Sequence, residues 1–137
     1  MIYIKSNTEI ELIRESSLLV SATLAEVAKF LKPGITTLQV DALAETFIRD
    51  HSAVPSFKNY KGYPFATCIS VNDAVVHGFP NKSILKEGDV VSVDVGVYKN
   101  KYHGDSAYTF AIGEIPAEIQ KLMAVTRESL YKGIERP

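Results

Sequence analysis

Residues Val90 to Asp105 read "VVSVDVGVYKNKYHGD", and two aspartates stand eleven positions apart within them. From Val90 to Val97 the chain alternates. Val91, Val93, Val95 and Val97 point to one side, and Ser92, Asp94 and Gly96 to the other. This is the period-2 pattern of a half-buried β-strand. Lys99-Asn100-Lys101 is polar, and asparagine tolerates the left-handed backbone of a tight hairpin turn. A second strand is expected from about Tyr102 to Ile112. A two-residue loop at Lys99-Asn100 would set Asp94 directly across from Asp105, with Cβ atoms about 5 Å apart. Two carboxylates so placed repel by roughly 1 kcal/mol at ~4 Å in water, and by about 4 kcal/mol at a protein-like dielectric. A raised pKa, a neighbouring cation or full solvation relieves this. A divalent metal does so most strongly, taking carboxylate oxygens at about 2.0–2.2 Å. The other reading is a different loop length, which separates the pair and leaves one aspartate in solvent.

Upstream, "SNTEIELIRESSLLVSATLAEVAKFLKPG" predicts a helix, capped by Ser6 with Glu9 and ended by Pro33-Gly34. Its apolar face is expected to carry Ile10, Ile13, Leu18, Leu24, Val27 and Leu31. "TTLQVDALAETFIRDHSA" predicts a second helix with a Thr36–Gln39 cap. His51 falls near its C-terminus, where a cation is favoured, and reads as structural. In "VPSFKNYKGYPFA", Phe57, Tyr60, Tyr63 and Phe65 sit in a Gly/Pro loop. They either cover a core edge or line an apolar pocket. "TCISVNDAVVHGFP" reads as a second hairpin turning at Asn72-Asp73. That register would set Cys68 opposite His77 and leave His77 at a strand end, placed to reach into a cavity. The last segment, "PAEIQKLMAVTRESLYKGIERP", predicts a helix with Pro116 in its first turn. Ile119, Leu122, Met123 and Leu130 form its apolar stripe, with Met123 as core filler. Its end, "GIERP", loosely echoes "FLKPGIT" at the end of the first helix, as if a second helix–loop–helix unit were due to begin.

The whole chain sets bounds. Its 137 residues, 46% of them hydrophobic, suit one domain with a real core. The net charge of −1, with no basic stripe, gives no basis for nucleic-acid binding. A single cysteine, Cys68, leaves no internal disulfide and fits a reducing cytoplasm. The N-terminus lacks the pattern of a signal peptide. No run approaches the ~18 apolar residues of a membrane span. A cytoplasmic protein without a membrane partner is expected.

Cys68, "SVND" (70–73), "VVHGFP" (75–80), "DVVSVDVGV" (89–97) and "YHGDSAYTF" (102–110) follow one another in this chain. Taken with "LKPGITTLQVD" and "FKNYKGYPFATCISVN", the set resembles type I methionine aminopeptidases, metallopeptidases of the creatinase-like pita-bread fold. The resemblance implies an α+β fold: the N-terminal half of a pita-bread, an antiparallel curved sheet of hairpins covered by helices. Residues 1–137 would then be a single incomplete catalytic domain. It implies metal-dependent removal of the N-terminal methionine from peptides and nascent chains. Asp94 would chelate one divalent ion and Asp105 would bridge two. The ions would be cobalt, manganese, iron or zinc, and would be absent from or weakly held by this chain alone. His77 would be catalytic, hydrogen-bonding the substrate and steadying the transition state. Tyr60, Tyr63 and Cys68 would line the methionine pocket, with Phe57 at its edge.

The family draws its remaining ligands, a histidine and two glutamates, from a second half. His51 and His103 do not match those positions, and His103 is expected to turn away from Asp105. The chain is therefore expected to form a homodimer or to need a complementing C-terminal half, because an isolated half exposes the face meant for the other. Three other readings stand beside this one. They are a non-catalytic pita-bread module that binds peptides or proteins, a proline-specific metallopeptidase of the same fold, and a sugar hydrolase with directly opposed carboxylates.

Overall fold

A computed structural model describes residues 3–136. Helix α1 (Asn7–Phe30) begins at the expected capping box. The Ser6 amide donates to Glu9 Oε2 at 2.8 Å, and the Glu9 amide donates to Ser6 Oγ. Its buried face is Ser16, Leu19, Val20, Thr23, Leu24 and Val27. The expected face was different: Leu18 is 62% and Ile10 42% exposed. Two hydroxyl residues take central places because their polar atoms are satisfied on the spot. Thr23 Oγ1 donates to the Leu19 carbonyl at 2.8 Å. Ser16 Oγ lies 3.1 Å from the carbonyls of both Lys99 and Tyr102. A buried hydroxyl with such partners leaves no group unpaired. Helix α2 (Thr37–Asp50) has the Thr36–Gln39 capping box and buries Thr37, Val40, Asp41, Ala44 and Ile48. His51 closes it, with Nδ1 2.8 Å from the Phe47 carbonyl.

Four antiparallel strands follow: β1 (Val54–Pro55), β2 (Thr67–Val71), β3 (Val90–Lys99) and β4 (Tyr102–Ala111). β3 is central. β4 runs the length of one edge, while β2 and β1 share the other at opposite ends. Val91, Val93, Val95 and Val97 are fully buried and join Val20, Val27, Val40 and Ile48 in one core. Each such side chain stabilises the fold by about 1.5–3 kcal/mol.

The hairpin turn lies one residue beyond its expected place. Lys99 pairs with Tyr102, and Asn100 and Lys101 both adopt left-handed φ, 52° and 70°. That is the two-residue turn whose twist matches the strands, and asparagine at its first position suits it. Asp94 therefore pairs with Ala107, and Asp105 with Gly96. The two aspartates are diagonal neighbours rather than opposed. Because the displacement is two residues, every side chain keeps its expected face. The directly opposed geometry that a sugar hydrolase reading required is not formed.

Gly104 on β4 shows how closely α1 lies on the hairpin. A Cβ there would stand 2.6 Å from the Ser17 nitrogen and 2.7 Å from the Ser16 carbonyl carbon. Gly104→Ala is expected to lower stability by about 1–3 kcal/mol, read as roughly 4 °C of melting temperature per kcal/mol in a thermal scan.

The second hairpin does not form. β2 pairs with β3, and Cys68 sits across from Asp94 instead of His77. Beyond the turn itself, the backbone bond found among the described residues between β2 and the returning segment is Ile69 N–H to the Gly78 carbonyl at 2.8 Å. His77 takes a left-handed φ of 56°, which breaks the extended backbone a ladder needs.

Helix α3 (Ala117–Ile134) forms as expected but buries none of its residues. Leu122, Leu130 and Ile134 are 61%, 63% and 65% exposed. Met123 and Ile119 are half-buried, so Met123 does not fill a core. The α+β class holds: three helices and one antiparallel sheet. Pro137, the last residue of the "GIERP" echo, lies outside the described residues.

Candidate active site

One face of the sheet packs on the helices. The opposite face carries the chemistry: Cys68 and Ser70 on β2, Asp94 and Gly96 on β3, and His103 and Asp105 on β4. His103 shares this face with Asp105, contrary to the sequence expectation. It pairs with Tyr98, Asp105 pairs with Gly96, and strand residues two apart point the same way.

Asp94 and Asp105 are diagonal neighbours on this face. The Asp94 carboxyl is pushed up to about 6, first by loss of solvent, then by the charge of Asp105 and the hydrogen bond with it. The His77 charge works weakly the other way. His77 reaches this neighbourhood because Gly78 N–H donates to Ser70 Oγ at 3.0 Å, tying the segment to β2. A non-glycine residue with left-handed φ is an energetic cost that often marks a functional position.

Cys68 is buried. Burial pushes its thiol up, a hydrogen bond with Tyr63 pulls it down, and the charges of Asp94, Asp105 and Asp41 add to the rise. Tyr63 is raised by burial first, then by Cys68, Asp41 and Asp94. Its hydroxyl donates to the Thr67 carbonyl at 2.8 Å. Both groups therefore stay protonated near neutral pH. Tyr63 also belongs to a group of edge-to-face rings, 5.9 Å from Phe65 and 5.0 Å from Phe79, centroid to centroid. Phe57 covers Gly96: a Cβ there would meet the Phe57 ring at 2.6 Å. Tyr60 stands apart, 65% exposed with Lys61 Nζ 5.4 Å over its ring.

The structure thus gathers Phe57, Tyr63, Cys68, Asp94 and Asp105 at one face of the sheet, while His77 is exposed and felt there only through its charge and Tyr60 is open to solvent. Sequence reasoning did not single out Phe79 or Asp41. Asp41 Oδ1 accepts from the amides of Ala66 and Thr67 and from Thr67 Oγ1, at 2.7–3.0 Å. It fastens the aromatic loop to α2. Its position in the capped helix, on the buried stripe with Val40 and Ala44, was the available signal. Among the described residues, no three histidine, cysteine, aspartate or glutamate side chains converge as a metal cluster. Two carboxylates alone do.

A helix-backed antiparallel sheet with two neighbouring aspartates on its open face fits a metallopeptidase, and comparison with known proteins gives the family. Residues 11–136 match the model of metallopeptidase family M24, and the chain belongs to that family. It is 51% identical over 137 residues to a methionine aminopeptidase of Clostridium acetobutylicum, covering 99% of this chain and 55% of that protein. It is 46% identical to methionine aminopeptidase 1 of Bacillus subtilis, covering 98% of this chain and 54% of that one. It superposes on the crystal structure of methionine aminopeptidase from Thermotoga maritima with a TM-score of 0.96 and 43% identity, over 100% of this chain and 55% of that one. A prolidase from Pyrococcus furiosus shares the fold, with a TM-score of 0.80 at 22% identity. The chain spans about half the length of the curated relatives it matches and corresponds to their N-terminal half.

Proposed function

We propose that this chain is the carboxylate-bearing half of a cytoplasmic methionine aminopeptidase, which removes the N-terminal methionine from peptides and nascent chains. One observation carries the reading. Asp94 and Asp105 meet beside uncharged Cys68 and Tyr63, in a chain 51% identical to such an enzyme. Residues 1–137 are then a single incomplete catalytic domain.

The donor set suits a divalent cation, because the crowded carboxyl pair is only weakly offset by the His77 charge. Asp94 and Asp105 would hold two ions of manganese, iron, cobalt or zinc. When bound, these supply a Lewis acid and an activated water for peptide hydrolysis. Two carboxylates leave a coordination shell unfilled, so this chain alone holds metal weakly. His77 hydrogen-bonds the substrate. Phe57, Tyr60, Tyr63 and Cys68 receive the methionine side chain. A site whose thiol and phenol stay neutral suits a thioether, and sulfur–aromatic contacts contribute about 0.3–1.5 kcal/mol.

The missing partner is a second copy or a complementing C-terminal half. The accessible surface is 9178 Å², against about 7,100 Å² for a compact folded monomer of 15.1 kDa. That excess exceeds the ~800 Å² per partner of a standard interface. The apolar residues of α3 are open, and among the described residues β4 pairs only with β3. Light scattering at tens of micromolar should therefore show a species larger than a monomer, and a clean monomer would count against this.

A proline-specific peptidase is the second reading. Its solved representatives share 19–24% identity, which supports the fold alone. The third reading, a non-catalytic binding module, leaves the retained Asp94, Asp105 and His77 without a purpose. Hydrolysis of Met-Ala-Ser by this chain with Mn²⁺ or Co²⁺, alone and mixed with a C-terminal half from a relative, tests the assignment. Release of methionine, abolished by Asp94→Asn, is expected from the mixture. Cleavage of Ala-Pro-Ala in preference to Met-Ala-Ser would sink the methionine assignment.

A further inference from the structure

His103 has no part in the reading above, yet it joins two components of the site. The aromatic loop between β1 and β2 carries Phe57, Tyr63 and Phe65, and it crosses the sheet at Gly96, the residue paired with Asp105. There the Ser56 amide donates to the Gly96 carbonyl at 2.9 Å. Ser56 Oγ and His103 Nδ1 share a hydrogen bond of 2.9 Å. Among the described residues this is the one hydrogen bond from the loop to β4, the strand that bears Asp105. The far end of the loop is fixed to α2 through Asp41, and its middle to Glu45 through Lys58. The His103 ring is steadied by Tyr98, 4.6 Å away between centroids. Phe57 follows Ser56 directly and rests where a Gly96 side chain would be.

We propose that His103 is a positioning residue, whose bond to Ser56 ties the wall of the side-chain pocket to the strand carrying Asp105. The inference rests on the methionine-pocket reading. It concerns how the pocket is held against the carboxylates rather than which residues touch the substrate. Losing the tie leaves both carboxylates and the Ser56 amide bond to Gly96 in place but frees the Ser56 side chain, so the Phe57 ring is held against β3 without support from β4. Asparagine can restore the tie, because its side-chain nitrogen stands where Nδ1 of histidine does.

The test compares the wild-type chain with His103→Ala, His103→Asn, Ser56→Ala and the Ser56→Ala/His103→Ala pair. The first readout is amide hydrogen exchange over residues 57–65, with β3 and β4 as internal references. His103→Ala and Ser56→Ala should each speed exchange in the loop about five- to tenfold, the worth of one hydrogen bond. The double variant should add nothing further. His103→Asn should exchange at close to the wild-type rate. The second readout is L-methionine affinity with Mn²⁺ present, expected to fall by a similar factor in the alanine variants while Mn²⁺ affinity itself holds. Additive effects, no rescue by asparagine, or a loop unmoved by Ser56→Ala would overturn the tie. Loop exchange that behaves as expected, in a chain whose wild-type form does not bind methionine, would keep the tie and discard the pocket reading.

Discussion

Asp94→Asn is expected to raise the melting temperature of the metal-free chain at pH 7 while weakening Mn²⁺ binding by about two orders of magnitude or more. The two effects have one cause. Asp94 and Asp105 crowd each other with only the weak effect of His77 against them, and the Asp94 carboxyl sits at about 6 instead of 3.8. A carboxyl whose folded-state pKa is raised binds its proton more tightly in the folded chain than in the unfolded one. Stability therefore falls as pH rises through the window from about 3.8 to about 6, and the penalty is complete above it. An amide removes the charge and flattens that slope. Asp94 is only half-buried and solvent screens the pair, so the gain at pH 7 should be about 1 kcal/mol. That corresponds to roughly 4 °C in a chain of this length. Thermal melts at pH 4.5 and 7 with a chelator, paired with Mn²⁺ titration, read both halves. A variant that is less stable than the parent at pH 7 would show that the carboxylates are not in conflict.

The second large effect is structural. Asp41→Ala should cost about 3–5 kcal/mol, the range for stripping a buried charged acceptor of its role, and should lower the melting point by well over 10 °C. Three donors from Ala66 and Thr67 converge on one carboxyl oxygen. Removing it strands all three on buried residues, Ala66 and Thr67. Burial outweighs these bonds and raises the Asp41 carboxyl, so much of the charge is a burden. Asp41→Asn keeps an oxygen for the same donors and should lose less than half as much. If asparagine proves as harmful as alanine, the negative charge itself carries the contact.

What the sequence made legible was local. Both capping boxes, the strand faces of the aspartate hairpin and the start of α3 rest on residues within a few positions of one another. The pairing of β2 was not legible. Asn72-Asp73 makes a good turn wherever its flanks go, and only the long-range ladder with β3 decides that Cys68 meets Asp94. The buried stripe of α1 was misjudged because size was read as burial. Ser16 and Thr23 are buried through carbonyl partners, and one of them draws on residues more than eighty positions away. His103 was set on the wrong face although residues two apart on a strand must agree. The roles of Asp94, Asp105 and His77 came from the family resemblance. Spacing alone had reached no further than a candidate metal pair.

The one-residue displacement of the hairpin turn, which shifts the register by two, has a broader meaning. Strand faces depend only on whether a displacement is odd or even. An even slip moves Asp105 along its own face, from Gly96 to a place opposite Asp94 or Tyr98. An odd slip turns Asp105 under the sheet into the valine layer and presents Ser106 in its place. The turn at Asn100-Lys101 therefore acts as a parity check. Register shifts of two residues should keep both aspartates on one face and shifts of one should not.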